Sequence, residues 1–464
     1  MRDKKPTRRD QQCCEEEKRH MACTGDRKTM QTKLDLITEL AGGNRKLRIN
    51  NVYYLLNVEN LCESYFQLKT GKAAGVDGIS IEEYGKKLGS NIKQLAERIR
   101  KGAYRPQPVR RTYIPKANGK LRPLGIPAVE DKIVQHCMSR ILTAVYETDF
   151  MDFSYGFRPG RNCHQALQRL DRAIMTKPVN YIVDADISGF FDTVNHEWMM
   201  RFLEHRMNEP KFMRLLRRFL KNGYVEDGIL YTTGKGTPQG GLISPVLANI
   251  YLHYVLDLWF ERRIKPNCKG YVELVRYADD FIICAQYQEE AERIYEQLKQ
   301  RVEKFGLELA ADKTRIIEFG RKAARKAKQT GKRVETFNFL GFTHYAGKSR
   351  KGNFLLGRKT YQKKMQVKLK ELGQWLKSIR NRFCIKEWWP VLQSKITGHY
   401  RYYGVSGNTR SLNQFYRIVQ HLVFKWINRR SQKSSMNWKS YQLYLKRYTL
   451  PEPRVYHNFY VNFV

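Results

Sequence analysis

Apolar and polar positions alternate most sharply in two short stretches. Tyr181-Ile182-Val183-Asp184-Ala185-Asp186-Ile187 has the period-two pattern of a strand and puts Asp184 and Asp186 on one face. In Val275–Cys284 two runs rich in β-branched and aromatic residues flank Ala278-Asp279-Asp280, which predicts strand, tight turn, strand with the acids at the tip. Val109–Lys116 and Lys120–Pro127 flank Asn118-Gly119 and predict a second hairpin with cations on both arms. Leu307–Leu309 and Arg315–Phe319 read as short strands. Helical spacing predicts helices within Tyr53–Thr70, Ile92–Ile99, Glu130–Val145 and Glu289–Phe305, and one starting near Asn195, an acceptable N-cap. Val246–Phe260, uncharged until Asp257, reads as a core helix, and beyond Phe342 the chain is expected to turn helical. Gly75-Val76-Asp77-Gly78 is a turn, and the glycines of Gly236–Pro245 let backbone approach a ligand closely.

Length and composition then set the scale. A chain of 464 residues exceeds what one core supports, so two or three domains are expected, and 42% hydrophobic residues supply ample material to bury. Residues 1–45, rich in Lys, Arg, Asp, Glu and Gln, read as a mostly disordered extension with a helical piece near Leu34–Leu40. The formal charge of +40 calls for a polyanion, and nucleic acid neutralises an extended surface better than the competing anionic membrane. No apolar run of membrane-spanning length and no apolar leader are found, so a soluble cytoplasmic protein without a membrane partner is expected. The nine cysteines form no Cys-x-x-Cys pair, which leaves zinc ribbons and disulfide frameworks unsupported. Gly320–Lys332 is a basic run of the kind that forms solvated linkers. Cations and aromatics interleave in Gly398–Gly404 and again at Trp426, Arg429, Arg430, Trp438 and Tyr441, which suits nucleic acid, although helix packing accounts for some of the rings.

Alone, Asp279-Asp280 is an ordinary turn with solvated acids. With Asp186 it makes chemical sense, because phosphoryl transfer to a nucleotide uses two divalent ions, one at the 3′-hydroxyl and one at the triphosphate. Mg²⁺ takes oxygen ligands and keeps several waters, so two or three carboxylates plus substrate phosphates suffice. Lys116 and Arg122, on opposite arms of their hairpin, are candidates to grip a triphosphate, the alternative being solvated strand charges.

Five motifs in this order resemble the bacterial group II intron reverse transcriptase/maturase family: Tyr155–Arg161, Asp186–Asp192, Gly236–Asn249, Tyr277-Ala278-Asp279-Asp280 and Phe339-Leu340-Gly341-Phe342. The similarity spans roughly residues 50–430. It implies an α+β right-hand polymerase fold, fingers and palm followed by an α-helical thumb or maturase domain. Asp186, Asp279 and Asp280 are then the catalytic metal ligands for two Mg²⁺ ions, with the Ile187 carbonyl completing a site. Phe191 resembles the steric gate under the sugar, Gln239 positions the incoming dNTP, and Lys116 and Arg122 hold its phosphates. Lys313 lies in the motif that supports the palm, and Phe339, Leu340 and Gly341 resemble the primer grip. Arg158, Arg161, Tyr400 and Arg401 are expected to contact primer, template or intron RNA, while Asp184 has no family role and reads as a solvated strand position.

The implied division is an extension over 1–45, fingers and palm over 46–335, primer grip and thumb over 336–430, and a short basic tail over 431–464. The expected partners are group II intron RNA, an RNA template with a DNA primer, dNTPs and, if retrohoming is retained, target DNA. The chain carries no paired cysteines of a zinc endonuclease after the thumb, so second-strand cutting is not expected. Ala310-Ala311 stand where the family pattern leads one to expect Asn. Two other readings stay open: a splicing factor without polymerase activity, disfavoured by the intact acidic trio, and a domesticated reverse transcriptase in phage defence.

Overall fold

The structure, a computed structural model, describes residues 30–115, 121–232, 234–236, 240–430 and 435–460. Its strands in chain order are β1 (Val109–Pro115), β2 (Leu121–Ile126), β3 (Tyr181–Asp186), β4 (Tyr224–Glu226), β5 (Ile229–Tyr231), β6 (Val272–Tyr277), β7 (Asp280–Ala285), β8 (Arg315–Glu318), β9 (Phe337–Phe339), β10 (Phe342–Lys348) and β11 (Phe354–Thr360). With the helices around them they divide into two compact units. One gathers the described residues up to Ile114 with Arg122–Met151 and Gly189–Val255; the other gathers Asp152–Ser188 and the chain from Leu256 onward.

In the first unit the helix Val129–Tyr146 is the axis of the core, with Ile133, Val134, Cys137, Met138, Ile141 and Leu142 fully buried. The extension expected over 1–45 is helical over Met30–Gly43, because Met30, Leu34, Ile37 and Ala41 make a buried stripe at helical spacing. Residues 1–29 lie outside the described residues. The sheet of this unit has the order β2-β1-β4-β5. Its β4–β5 hairpin escaped the pattern reading, since three-residue strands are too short to show alternation. Asp227-Gly228 closes it with φ of 49° and 81°, the left-handed pair that two-residue hairpin turns favour.

In the second unit β6-β7-β3-β8 form an antiparallel sheet, packed on the helix Cys163–Thr176 through Ala166, Leu167, Leu170, Ile182, Ile282 and Ile317. Asn162 caps that helix in a reciprocal capping box with Gln165. Helices Gln362–Ile379, Ile385–Tyr403, Thr409–Asn428 and Trp438–Arg447 enclose a further core around Trp388, Leu392, Ile396, Phe415, Val419 and Tyr441.

Three expectations are corrected in this unit. The chain beyond Phe342 is not helical at first: β10 and β11 pair over seven residues and join β9 in a sheet, and the helix begins only at Gln362. Lys348 and Lys359 share these strands with buried Thr343, His344, Leu356 and Arg358. The basic run after Gly320 is a helix, Arg321–Thr330, and no linker. Leu307–Leu309 forms no strand; Leu309 makes a single bridge to Ile187. Asp257, inside the helix expected over Val246–Phe260, closes a π-helical turn and is itself fully buried.

Candidate active site

The hairpin between β6 and β7 exists because two apolar runs flank a turn that accepts a left-handed residue: Ala278 has φ of 58°. The turn is fixed from below by Arg276, whose side chain is fully buried. Its guanidinium donates to both carboxylate oxygens of Asp257 at 2.7 and 2.5 Å and to the Ala278 carbonyl at 3.0 Å. The Arg276 peptide is also held, its N–H donating to the Phe153 carbonyl and its carbonyl accepting from Tyr155 N–H, both at 2.9 Å. Gly156 follows, and a Cβ there would stand 2.3 Å from the Ala278 nitrogen. The glycine of the Tyr155–Arg161 motif is therefore the space into which the Asp-Asp turn fits.

At the end of that hairpin Asp280 pairs directly with Asp186 across β3 and β7. Opposite positions of an antiparallel pair bring Cβ atoms to about 4.5–5.5 Å on one face. Two carboxylates 94 positions apart in the chain are thus brought opposite one another at one end of the sheet's two central strands, with Asp279 at the adjoining turn. The Asp186 carbonyl accepts from Ala310 N–H at 2.8 Å, and peptide groups alternate along a strand, so the Ile187 carbonyl is turned toward the β7 side. Burial pushes the Asp280 carboxyl up to about 7, and the carboxylates of Asp184, Asp279 and Asp186 push the same way while Lys364 opposes them.

Asp184 is not the solvated strand position expected of it. Its side chain is 17% exposed and lies 3.9 Å from Arg315. Burial raises its carboxyl to about 6 against the pull of Arg315, with Asp186 adding to the rise. The like-charge group thus has four members. Lys313 answers part of it, its ammonium 2.5 Å from Asp186 Oδ2, and that hydrogen bond raises the lysine above its ordinary value.

Among the described residues no group of three or more His, Cys, Asp or Glu side chains is placed as it stands to hold a metal ion. The donor chemistry nevertheless fits a hard cation: the groups are oxygen donors gathered at strand ends, and the neighbouring carboxylates raise Asp280 even with Lys364 opposing them. Asp186, Asp279 and Asp280 with the Ile187 carbonyl are the groups that would hold it, were one bound there.

The remaining predicted residues divide clearly. Lys116 and Gln239 lie outside the described residues. In the first unit Arg122 is exposed on β2, and Phe191 is partly buried with its ring edge-on to Phe190 at 5.3 Å. The loop beginning at Gly236 is tied beside Phe191, since Gly236 N–H donates to the Val194 carbonyl at 2.7 Å and a Cβ on Gly236 would be 2.9 Å from the Phe191 carbonyl. Its far end rests on β2, where a Cβ on Gly240 would be 2.4 Å from the Gly125 carbonyl. In the second unit Leu340 and Gly341, with φ of 48° and 81°, form a two-residue turn between β9 and β10.

Four nucleic-acid contacts expected from the sequence need correction. Arg158 is 7% exposed and donates to the Ser154 carbonyl at 2.7 Å, so its cation points inward. Phe339 and Tyr400 belong to the two cores, and Leu340 is buried with its carbonyl accepting from Tyr402. Apolar packing claimed these rings, a fate that motif position does not reveal. Arg161 and Arg401 remain accessible, Arg161 paired with Asp152 at 3.0 Å. The sequence reading missed Arg276 and Asp257, although a lone Arg within Val272–Tyr277 was the available signal.

Comparisons with known proteins place the chain in a family. The family of reverse transcriptases (RNA-dependent DNA polymerases) matches residues 114–344. The group II intron-encoded protein LtrA of Lactococcus lactis subsp. cremoris is 29% identical over 470 residues, covering 84% of this chain and 77% of that protein. Protein YkfC of Escherichia coli (strain K12) is 34% identical over 300 residues, covering 57% of this chain and 79% of the relative. Nuclear intron maturase 2 of Arabidopsis thaliana is 26% identical over 178 residues, 29% of this chain and 24% of that protein. No described helix is long and apolar enough to cross a membrane. The chain belongs to the group II intron reverse transcriptase/maturase family and is an RNA-directed DNA polymerase.

Proposed function

We propose that this protein copies RNA into DNA at the Asp186–Asp280 pair, binds the RNA of a group II intron to promote its splicing, and supports retrohoming. The observation that carries the reading is the direct pairing of Asp186 with Asp280 beside Asp279. Asp186, Asp279, Asp280 and the Ile187 carbonyl would hold two Mg²⁺, which when bound supply Lewis-acid activation of the primer 3′-hydroxyl and charge neutralisation at the triphosphate. Lys313, paired with Asp186 in this structure, would give up that carboxylate to a bound ion and supply a cation at the same site. Arg276 and Gly156 hold the turn that carries Asp279 at fixed height. Arg122, with Lys116 and Gln239, binds the phosphates and base of an incoming dNTP, and Phe191 excludes a 2′-hydroxyl. Gly341, in the turn between β9 and β10, meets the primer, and Arg161 and Arg401 contact the phosphates of primer, template or intron RNA. Residues 46–335 serve as fingers and palm and 336–430 as primer grip and thumb, in a protein that works in the cytoplasm and meets target DNA during retrohoming.

The test is dNTP incorporation on an RNA template with a DNA primer and Mg²⁺, comparing the wild type with Asp279→Ala. Incorporation is lost in the variant while RNA binding persists. An inactive wild type that still binds and splices intron RNA overturns the polymerase reading.

A further inference from the structure

The helix Arg321–Thr330 carries no acid in ten residues. Arg321, Arg325 and Lys328 follow at i, i+4 and i+7, so three cations share one stripe, an arrangement that by itself destabilises a helix. This stripe walls a groove of about 970 Å³. Lys332 and Arg333 continue the wall past the helix, and Lys348 of β10 and Lys359 of β11 complete it. Seven cations and no carboxylate line the groove. The carboxylates nearby in the chain are already engaged: Glu318 pairs with Lys326 at 2.9 Å, and Glu335 pairs with Arg315.

We propose that this groove is a second nucleic-acid site, separate from the polymerase site, which takes the phosphodiester backbone of duplex RNA. Uncompensated charge in a concave surface attracts a polyanion, and the lining decides what kind. The rings that reach the groove are Tyr345 and Phe354. Tyr345 lies over Gly357, where a Cβ would come within 2.3 Å of its ring, and Phe354 packs against the sheet core. Neither ring is presented for base stacking, so the groove reads backbone, which a duplex displays while its bases stay paired. Thr336 and Asn353 add uncharged polar groups able to meet 2′-hydroxyls. The choice of RNA over DNA rests on the intron-binding function proposed above.

The test uses the full chain with Arg325→Gln, Lys328→Gln and Lys332→Gln combined, and Lys326→Gln on the other side of the helix as control. Binding of a fluorescein-labelled RNA hairpin, the DNA hairpin of the same sequence, and polyglutamate is measured across a salt series. For the triple variant the slope of log affinity against log salt for the RNA hairpin falls by about 2 to 3, roughly 0.7–0.9 per lost phosphate contact. The control keeps the wild-type slope, and dNTP incorporation on a short primed template is unchanged in both. An unchanged RNA slope, tighter groove-dependent binding of the DNA hairpin or polyglutamate, or loss of incorporation in the triple variant each overturns the proposal. A wild type without incorporation whose RNA slope still responds to the triple variant refutes the polymerase reading and leaves the groove standing.

Discussion

Replacing Arg276 by Met separates the stability of the Asp-Asp hairpin from its geometry. Both Arg276 and Asp257 are fully buried, so the change leaves a carboxylate in the core with its main counter-charge removed. Burial already raises the Asp257 carboxyl even with Arg276 opposing it. Breaking such a pair from one side costs about 3–5 kcal/mol. The Ala278 carbonyl also loses its donor, on the order of 1 kcal/mol more. The loss is greatest above neutral pH and shrinks as pH falls, because a carboxyl raised in the folded state binds a proton there before it does when unfolded. The double variant Arg276→Met with Asp257→Leu removes the stranded charge, and apolar replacement of a buried pair is often neutral or stabilising. Urea unfolding followed by circular dichroism therefore shows the single variant weakened by about 4 kcal/mol and the double variant restored for the most part. Incorporation of dNTPs stays low in both, since neither supplies a donor to Ala278. A single variant within 1 kcal/mol of wild type refutes the energetic argument. A double variant that recovers incorporation together with stability refutes the positioning argument.

Gly156→Ala places a methyl 2.3 Å from the Ala278 nitrogen and lowers incorporation by about 100-fold, the scale of a misplacement near 1 Å, with RNA binding retained; unchanged turnover counts against the close-fit role. Phe191→Ala raises the ratio of ribonucleotide to deoxynucleotide incorporation by about tenfold or more; an unmoved ratio removes the gate from Phe191. Asp131 in the first unit is 2% exposed, is hydrogen-bonded by Tyr104 and by Gln107 N–H at 3.0 Å, and burial pushes it up to about 7 from 3.8. Its folded value is raised, so stability it contributes below about pH 4 declines as pH climbs to 7, by roughly 3–4 kcal/mol; Asp131→Asn flattens that slope, and an unaltered pH profile contradicts the assignment. Binding of structured RNA by the wild type weakens steeply with salt through counterion release, and a flat dependence places the charge elsewhere.

The chain order by itself determined the elements that local rules govern. The β6–β7 hairpin, the strand bearing Asp184 and Asp186, the capped helix after Asn195 and the buried helix around Ile133 follow from period, turn chemistry and capping, which act within a few residues. The candidate acids were legible for the same reason, because a carboxylate in an apolar strand stands out. What the pattern cannot encode is which distant position lies opposite. Only the tertiary structure put Asp280 across from Asp186, set Lys313 on Asp186, drew Asp184 into the acidic group and buried Arg276 against Asp257. It also turned Arg158, Phe339 and Tyr400 inward and raised a basic run into the wall of a groove. Those outcomes depend on strand register and on the competition between burying a side chain and solvating it, and both are settled by neighbours far away in the chain.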